Sequence, residues 1–164
     1  MDPRWTKETG CPTWGFSIVI CRNAQNKYLA VNETRDRGWW VPGGRLEPGE
    51  DFFQAAHRET KEEAGIDISI KGILRVEYSP MGRAGARQRV IFYAEPADES
   101  QAPKSQADEE SLEARWVSVE EFMALGKLRG GELVEWGRYL DAGGAVYPRE
   151  VLADEGDEVW APTG

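Results

Sequence analysis

Residues 44–66 read GRLEPGEDFFQAAHRETKEEAGI. From position 51 to 64 the stretch predicts a helix: an acidic start, Phe53, Ala56 and Thr60 at three-to-four spacing, and Gly65 as a C-terminal stop. Arg58, Glu59, Glu62 and Glu63 fall within it. Positions 59, 62 and 63 are three or four apart, so their carboxylates emerge on one face. Such a face is unfavourable in itself, because like charges repel and acids in a last turn meet the negative end of the helix dipole, at roughly 0.3–1 kcal/mol each. Lys61 and Arg58 offset part of the repulsion, whereas a bound divalent cation reverses its sign. A Glu-rich helix is ordinarily a solvated face. Here it sits in a longer pattern, with Gly43-Gly44 ahead, Glu50 six residues after Gly44, and the glycine stop behind. Oxygen donors without sulfur suit Mg²⁺ or Mn²⁺ rather than zinc.

Upstream, WGFSIVIC at 14–21 alternates around Phe16, Ile18 and Ile20, and 27–31 follows after Asn23-Ala24-Gln25-Asn26, which predicts two strands joined by a polar turn. Residues 34–38 are charged and read as a loop, and Trp39-Trp40-Val41 runs into a sharp turn at Pro42-Gly43-Gly44. Downstream, strands are expected at 66–78 and 87–95 around a loop at 79–86 that contains glycine and arginine. Residues 98–110 are acidic with Lys104 the one cation, and read as a mobile surface loop. A short strand at 114–119, helical stretches at 119–125 and 132–140, and an irregular tail at 143–164, which includes Trp160, complete an α/β or α+β sandwich. With 164 residues, 40% of them hydrophobic, one domain over 1–164 is expected.

The formal net charge of −9 argues against broad nucleic-acid or anionic-membrane binding, so a phosphate-bearing substrate has to be won locally by metal ions or a few arginines. No run of eighteen apolar residues offers a membrane span, and MDPRWTKE has no signal-peptide core. Cys11 and Cys21, with or without a bridge between them, fit a reducing compartment, and with His57 they make no zinc site. A soluble, cytoplasmic protein is expected.

The segment resembles the Nudix box, Gly-x5-Glu-x7-Arg-Glu-U-x-Glu-Glu-x-Gly-U with U a bulky aliphatic, through Gly44, Glu50, Arg58, Glu59, Glu62, Glu63, Gly65 and Ile66. Thr60, where the first U is expected, is the one departure, and its β-branched shape predicts a small loss of packing. WWVPGG at 39–44 and ARWVSVEEF at 114–122 are also similar to the family. The resemblance implies an α/β/α sandwich around a mixed sheet, and metal-assisted hydrolysis of a nucleoside diphosphate linked to another group X. It implies Glu59, Glu62 and Glu63 as metal ligands, Glu63 foremost. Glu59 is also a candidate general base, and the Gly43 carbonyl a further ligand. Arg58 would orient the catalytic glutamate, its plainer reading being a surface arginine paired with Glu62. Glu50 has either a supporting catalytic role or that of a carboxylate favoured at a helix start. Members often add an acid from the loop before the last strand. Of Glu109, Glu110 and Glu113, the distance to Trp116 selects Glu110. Many relatives are dimers, so a homodimer is compatible with the resemblance.

For substrate selection, Trp14, Trp39 and Trp40 are candidates to stack a base, with core packing the commoner fate of a tryptophan. Tyr28, Tyr78 and Phe92 are further wall candidates. Arg83, Arg87 and Arg89 either reach a distal phosphate or serve as solvent-facing counter-charges. Pro80 stands near the position at which ADP-ribose hydrolases of the family carry a proline, while neither Tyr78 nor Tyr93 fits the tyrosine of dinucleoside polyphosphate hydrolases. WWVPGGRLEPGE is similar instead to members acting on ordinary or damaged nucleoside di- and triphosphates. A non-hydrolysing binding module is the alternative class, and the retained repulsive cluster speaks against it. A calcium-binding structural domain fits less well, because the acids lie on a helix rather than in a loop.

Overall fold

Alternation along residues 14–21 becomes β1 (Thr13–Cys21), which sends Ile18 and Ile20 into one core and Val19 and Cys21 into another. A computed structural model describes residues 10–159. The chain continues through β2 (Tyr28–Glu33), β3 (Gly38–Trp40), β4 (Gly43–Arg45), α1 (Phe52–Ala64), β5 (Ile68–Pro80), β6 (Ala86–Pro96), β7 (Ser111–Val117), α2 (Val119–Met123) and α3 (Glu132–Asp141). One sheet has the order β4-β1-β6-β5 and the other β3-β2-β7. The first is mixed, since β1 runs parallel to β6 and antiparallel to β4. Ala56 and Ala64 of α1 pack on Val19, Leu29, Val31 and Phe92, while Phe122 of α2 and Leu133, Trp136 and Leu140 of α3 pack on Ile18, Ile20 and Tyr28. The result is the expected α/β/α arrangement around a mixed sheet. No helix among the described residues is long and apolar enough to cross a membrane.

Helix α1 starts and stops where its sequence says. The Asp51 side chain accepts from the Gln54 amide at 2.7 Å while the Gln54 side chain accepts from the Asp51 amide at 3.0 Å, a reciprocal N-terminal cap. Gly65 closes the helix in the left-handed region at φ 72°, which a glycine adopts at no steric cost.

Three segments differ from expectation. Gly43-Gly44 forms an edge strand rather than a turn, and it lies so close to β1 that a Cβ on Gly43 would come 2.6 Å from the Ser17 carbonyl oxygen. The last strand begins at Ser111 and ends at Val117, and Ser118 caps α2 through a second reciprocal pair with Glu121. Residues 98–110, read as mobile, are fastened to the body. Gln101 accepts from the Asp67 amide at 2.8 Å, Lys104 N donates to the Ala64 carbonyl at 2.8 Å, and Ala114 N donates to the Lys104 carbonyl at 2.8 Å. The C-terminal carbonyls of α1 need donors, and Lys104 of this loop supplies those of Glu62 and Ala64. The irregular tail makes a bridge from Tyr147 to Ile73 and a 3-10 turn at Arg149–Val151, with Leu152 packed on the α1 core. Trp160 lies outside the described residues. Cys11 is exposed and Cys21 buried, both as free thiols.

Thr60 is fully buried, and its hydroxyl donates to the Ala56 carbonyl at 2.8 Å. That carbonyl is already the natural acceptor of the helical Thr60 amide, so the hydroxyl's bond is redundant. Thr60→Val is therefore expected to leave stability unchanged or raise it by up to about 1 kcal/mol. A denaturant titration showing a loss larger than that would mean the hydroxyl does more than fill space.

Candidate active site

The face of α1 turned toward β4 carries the charged residues, and one guanidinium gathers them. Arg58 Nε donates to Glu50 Oε1 at 2.6 Å and one terminal nitrogen to Glu50 Oε2 at 2.9 Å, a two-pronged pair. The other terminal nitrogen donates to Glu59 at 2.9 Å and Glu62 at 3.1 Å, while the terminal nitrogen that serves Glu50 also donates to the Arg45 carbonyl at 3.1 Å. The hydrogen bond from Arg58 holds the Glu50 carboxyl below its ordinary pKa. Glu50, at the start of the helix, is thus an anchor for Arg58 more than a cap. The surface pairing of Arg58 with Glu62 is present too, as one strand of a larger network.

Glu63 lies apart from Arg58 and is buried at 7% exposure, its Oε2 accepting from the Gly43 amide at 3.0 Å. Burial pushes its carboxyl up to about 8, with the charges of Glu59 and Glu33 adding to the shift and the Gly43 amide opposing it. Glu59 is also raised, first by burial, while Arg58 pulls the other way. Glu110 is exposed in the loop before β7, and its charge is among those that raise Glu59, which places it on the same side. Any side chain at Gly44 would have to push the Glu59 carboxylate aside. A Cβ there would stand 2.5 Å from the Glu59 carboxyl carbon, so the bare backbone is what admits Glu59.

Among the described residues no three His, Cys, Asp or Glu side chains stand at metal-holding separation, because Arg58 draws three carboxylates onto itself and Gly43 holds the fourth. In chemistry the set fits a hard divalent cation: carboxylate oxygens on one helix face, set against a pair of glycines that carry no side chains.

The expected substrate residues separate. Trp14 is half-buried on β1 and stands opposite Arg87 of β6, a few residues along β1 from Ser17, which pairs with Gly44. Tyr78, Arg83 and Arg87 are exposed near the β5–β6 connection. Trp39 is buried at 6% exposure under the Arg115 guanidinium, 5.1 Å from the ring centre. Tyr28 and Phe92 belong to the packing, Tyr28 donating to Asp141 at 2.6 Å and Phe92 meeting Phe53 in a tilted pair with ring centres 5.1 Å apart. Arg89 is neither solvent-facing nor free. It pairs with Glu77 at 3.2 Å and Glu132 at 3.3 Å, and Glu132 also accepts from the Trp40 indole at 2.6 Å.

Two residues went unnoticed in the sequence. Arg129, between α2 and α3, forms an ion pair with the buried Glu33 and lies 4.1 Å from the centre of the Trp40 ring. Both of their charges reach Glu63. Glu33 ends β2 at the head of a charged run and Arg129 stands beside two glycines, and no spacing ties either to the acidic helix.

A family model described as "NUDIX domain" matches residues 12–137. The chain is 35% identical over 102 residues to a human protein named 8-oxo-dGDP phosphatase NUDT18, covering 60% of this chain and 30% of the relative, so it spans less than a third of that relative's length. It is 31% identical over 140 residues to phosphatase NudJ of Escherichia coli K12, covering 84% of this chain and 90% of the relative. The structure of a NUDIX hydrolase from Nitrosomonas europaea superposes with a TM-score of 0.68 at 24% identity, covering 89% of this chain and all of that one, a likeness of fold. Together with the acidic face of α1 set against Gly43-Gly44, these matches show that the chain belongs to the NUDIX domain family.

Proposed function

We propose that this protein is a metal-dependent pyrophosphohydrolase that cleaves the anhydride of a nucleoside diphosphate linked to another group, releasing a nucleotide and the phosphorylated remainder. The carrying observation is the Arg58-centred carboxylate cluster packed closely against a glycine pair that has no side chains to hold it off. Glu59, Glu62 and Glu63 would hold Mg²⁺ or Mn²⁺, with the Gly43 carbonyl and Glu110 as further ligands. When bound, the metal neutralises the diphosphate oxygens and lowers the pKa of the attacking water. Glu59 is the candidate to take the proton of that water. Its burial raises its basicity, and its hydrogen bond to Arg58 fixes its direction. Arg58, tied to Glu50, stays charged and in place as Glu59 changes protonation. Trp14 and Arg87 are the substrate contacts favoured among those expected, because they neighbour each other and approach Gly44 along β1. We place the enzyme in the cytoplasm, where two free thiols suit the reducing conditions.

For substrate, nucleoside di- and triphosphates, oxidised guanine forms included, are favoured over ADP-ribose and dinucleoside polyphosphates. The identity to a protein named 8-oxo-dGDP phosphatase supports that order. The test is a panel of these compounds with Mg²⁺, ranked by kcat/KM. The expected result is turnover led by a nucleoside di- or triphosphate. Nucleotide binding without hydrolysis across the panel would instead make the chain a binding module.

Glu63→Gln preserves volume and an acceptor for the Gly43 amide while removing a charged ligand. We expect kcat to fall on the order of a hundredfold or more with the fold intact. Gly44→Ala is expected to reduce kcat comparably by displacing Glu59, with a normal circular dichroism spectrum. In the metal-free protein Glu63 binds its proton more tightly when folded, up to about pH 8, than when unfolded. Its contribution to stability is therefore present at low pH and shrinks as pH rises from about 5 to 8. Thermal melts across that range should show a falling contribution in the parent that is absent from Glu63→Gln. Parallel pH profiles for the two proteins would contradict the burial argument.

A further inference from the structure

A helix ends with four carbonyls that lack intrahelical partners, and the acids Glu62 and Glu63 of α1 belong to that end. All four carbonyls are met here. Gly65 N donates to Lys61 O at 2.9 Å and Lys104 N to Ala64 O at 2.8 Å. The other two donors are side chains, and they select the two acidic residues. Lys104 Nζ donates to Glu62 O at 2.5 Å, and Ser111 Oγ donates to Glu63 O at 2.6 Å.

The two donors are themselves tied together. Lys104 Nζ also donates to Ser111 Oγ at 3.1 Å and Asp108 Oδ2 at 2.7 Å, so each of its three hydrogens has an acceptor. Asp108 is fixed in turn by the Glu110 and Ser111 amides at 2.9 and 3.1 Å. The Lys104 side chain is 13% exposed and Ser111 is fully buried, which makes this a built feature rather than a surface ion pair. Glu63 is consequently held at both ends, its carboxylate by the Gly43 amide and its carbonyl by Ser111. Glu62 is held likewise by Arg58 and Lys104.

We infer that Lys104 and Ser111 are positioning residues that clasp the last turn of α1 from outside the acidic motif and so aim Glu62 and Glu63 at the metal. The inference rests on the proposed role of those glutamates. The ammonium is neutralised locally by Asp108, so the clasp acts through hydrogen bonds rather than through net charge. Its removal should weaken cation binding. A lysine that merely placed positive charge near the carboxylates would show the opposite sign, since deleting it would strengthen cation binding.

The test compares Lys104→Met, Ser111→Ala and Lys104→Arg with Leu140→Ala, a core truncation on the opposite side of the sheets, well below every melting temperature. Mn²⁺ affinity of the substrate-free proteins is measured by calorimetry, the Mg²⁺ concentration for half-maximal hydrolysis by kinetics, and amide exchange at 62–65 by NMR. Lys104→Met and Ser111→Ala should each weaken Mn²⁺ binding and raise the Mg²⁺ requirement by about tenfold, as loss of a ligand's outer support does. Amides at 62–65 should exchange faster in both, and Lys104→Arg should recover part of the loss. Leu140→Ala should lose melting temperature with cation binding unchanged. Unchanged or tighter Mn²⁺ binding in Lys104→Met and Ser111→Ala overturns the inference, as does unchanged exchange at 62–65. A parent protein that neither binds Mn²⁺ nor hydrolyses the panel overturns the functional reading instead, and the exchange rates then still decide whether the turn is clasped.

Discussion

One guanidinium determines how much negative charge this fold can concentrate. Arg58 donates to Glu50, Glu59 and Glu62 and to the Arg45 carbonyl, so carboxylates that would repel one another share a single fixed counter-charge. Arginine suits this position because its planar fork of donors serves several acceptors without re-orientation. The bond to Arg45 also ties α1 to β4, and the bond to Glu50 ties it to the segment that leads into the helix. Charge, helix orientation and strand placement are therefore set together.

Glu63 is governed by a different balance. It has no cation in contact and lies almost fully buried, with one backbone amide as its partner. A carboxylate there is costly until something positive arrives. The cluster is thus graded, from the well-compensated Glu50 at the start of the helix to the poorly compensated Glu63 at its end. The demand for positive charge rises toward the Gly43-Gly44 edge, where the backbone is bare.

The sequence announces some of this and hides the rest for physical reasons. Helix α1 is legible because its boundaries are chemical: Asp51 has a side-chain acceptor for the first turn and Gly65 adopts a left-handed backbone. Strand β1 is legible through its alternation. Strand β4 is not, since glycine has no strand preference and its role depends on a neighbour, Ser17, distant in sequence. The clasp of residues 104–111 is invisible because polar composition looks alike whether a loop is solvated or spent on helix carbonyls. Arg129 and Glu33 meet only through the fold. Within the candidate site, spacing predicts that the acids of α1 share one helix face, and Glu59 and Glu62 do meet at Arg58. Trp39, whose aromatic character suggested a base platform, is a core residue under Arg115.

The central pairing of the larger sheet joins β1 to β6, placing Thr13 opposite Ala86 and Cys21 opposite Ala94. No local hairpin can form that parallel contact. The chain between them, including the whole acidic helix, must be gathered first, and loop-closure entropy opposes this until the contact is made. Folding is thereby coupled to assembly of the site. Until β6 docks, one edge of β1 is open, and its run of Ile18, Val19 and Ile20 is exposed to other chains. The strand that carries the glycine edge of the site is also the one that a newly made chain must protect longest from aggregation.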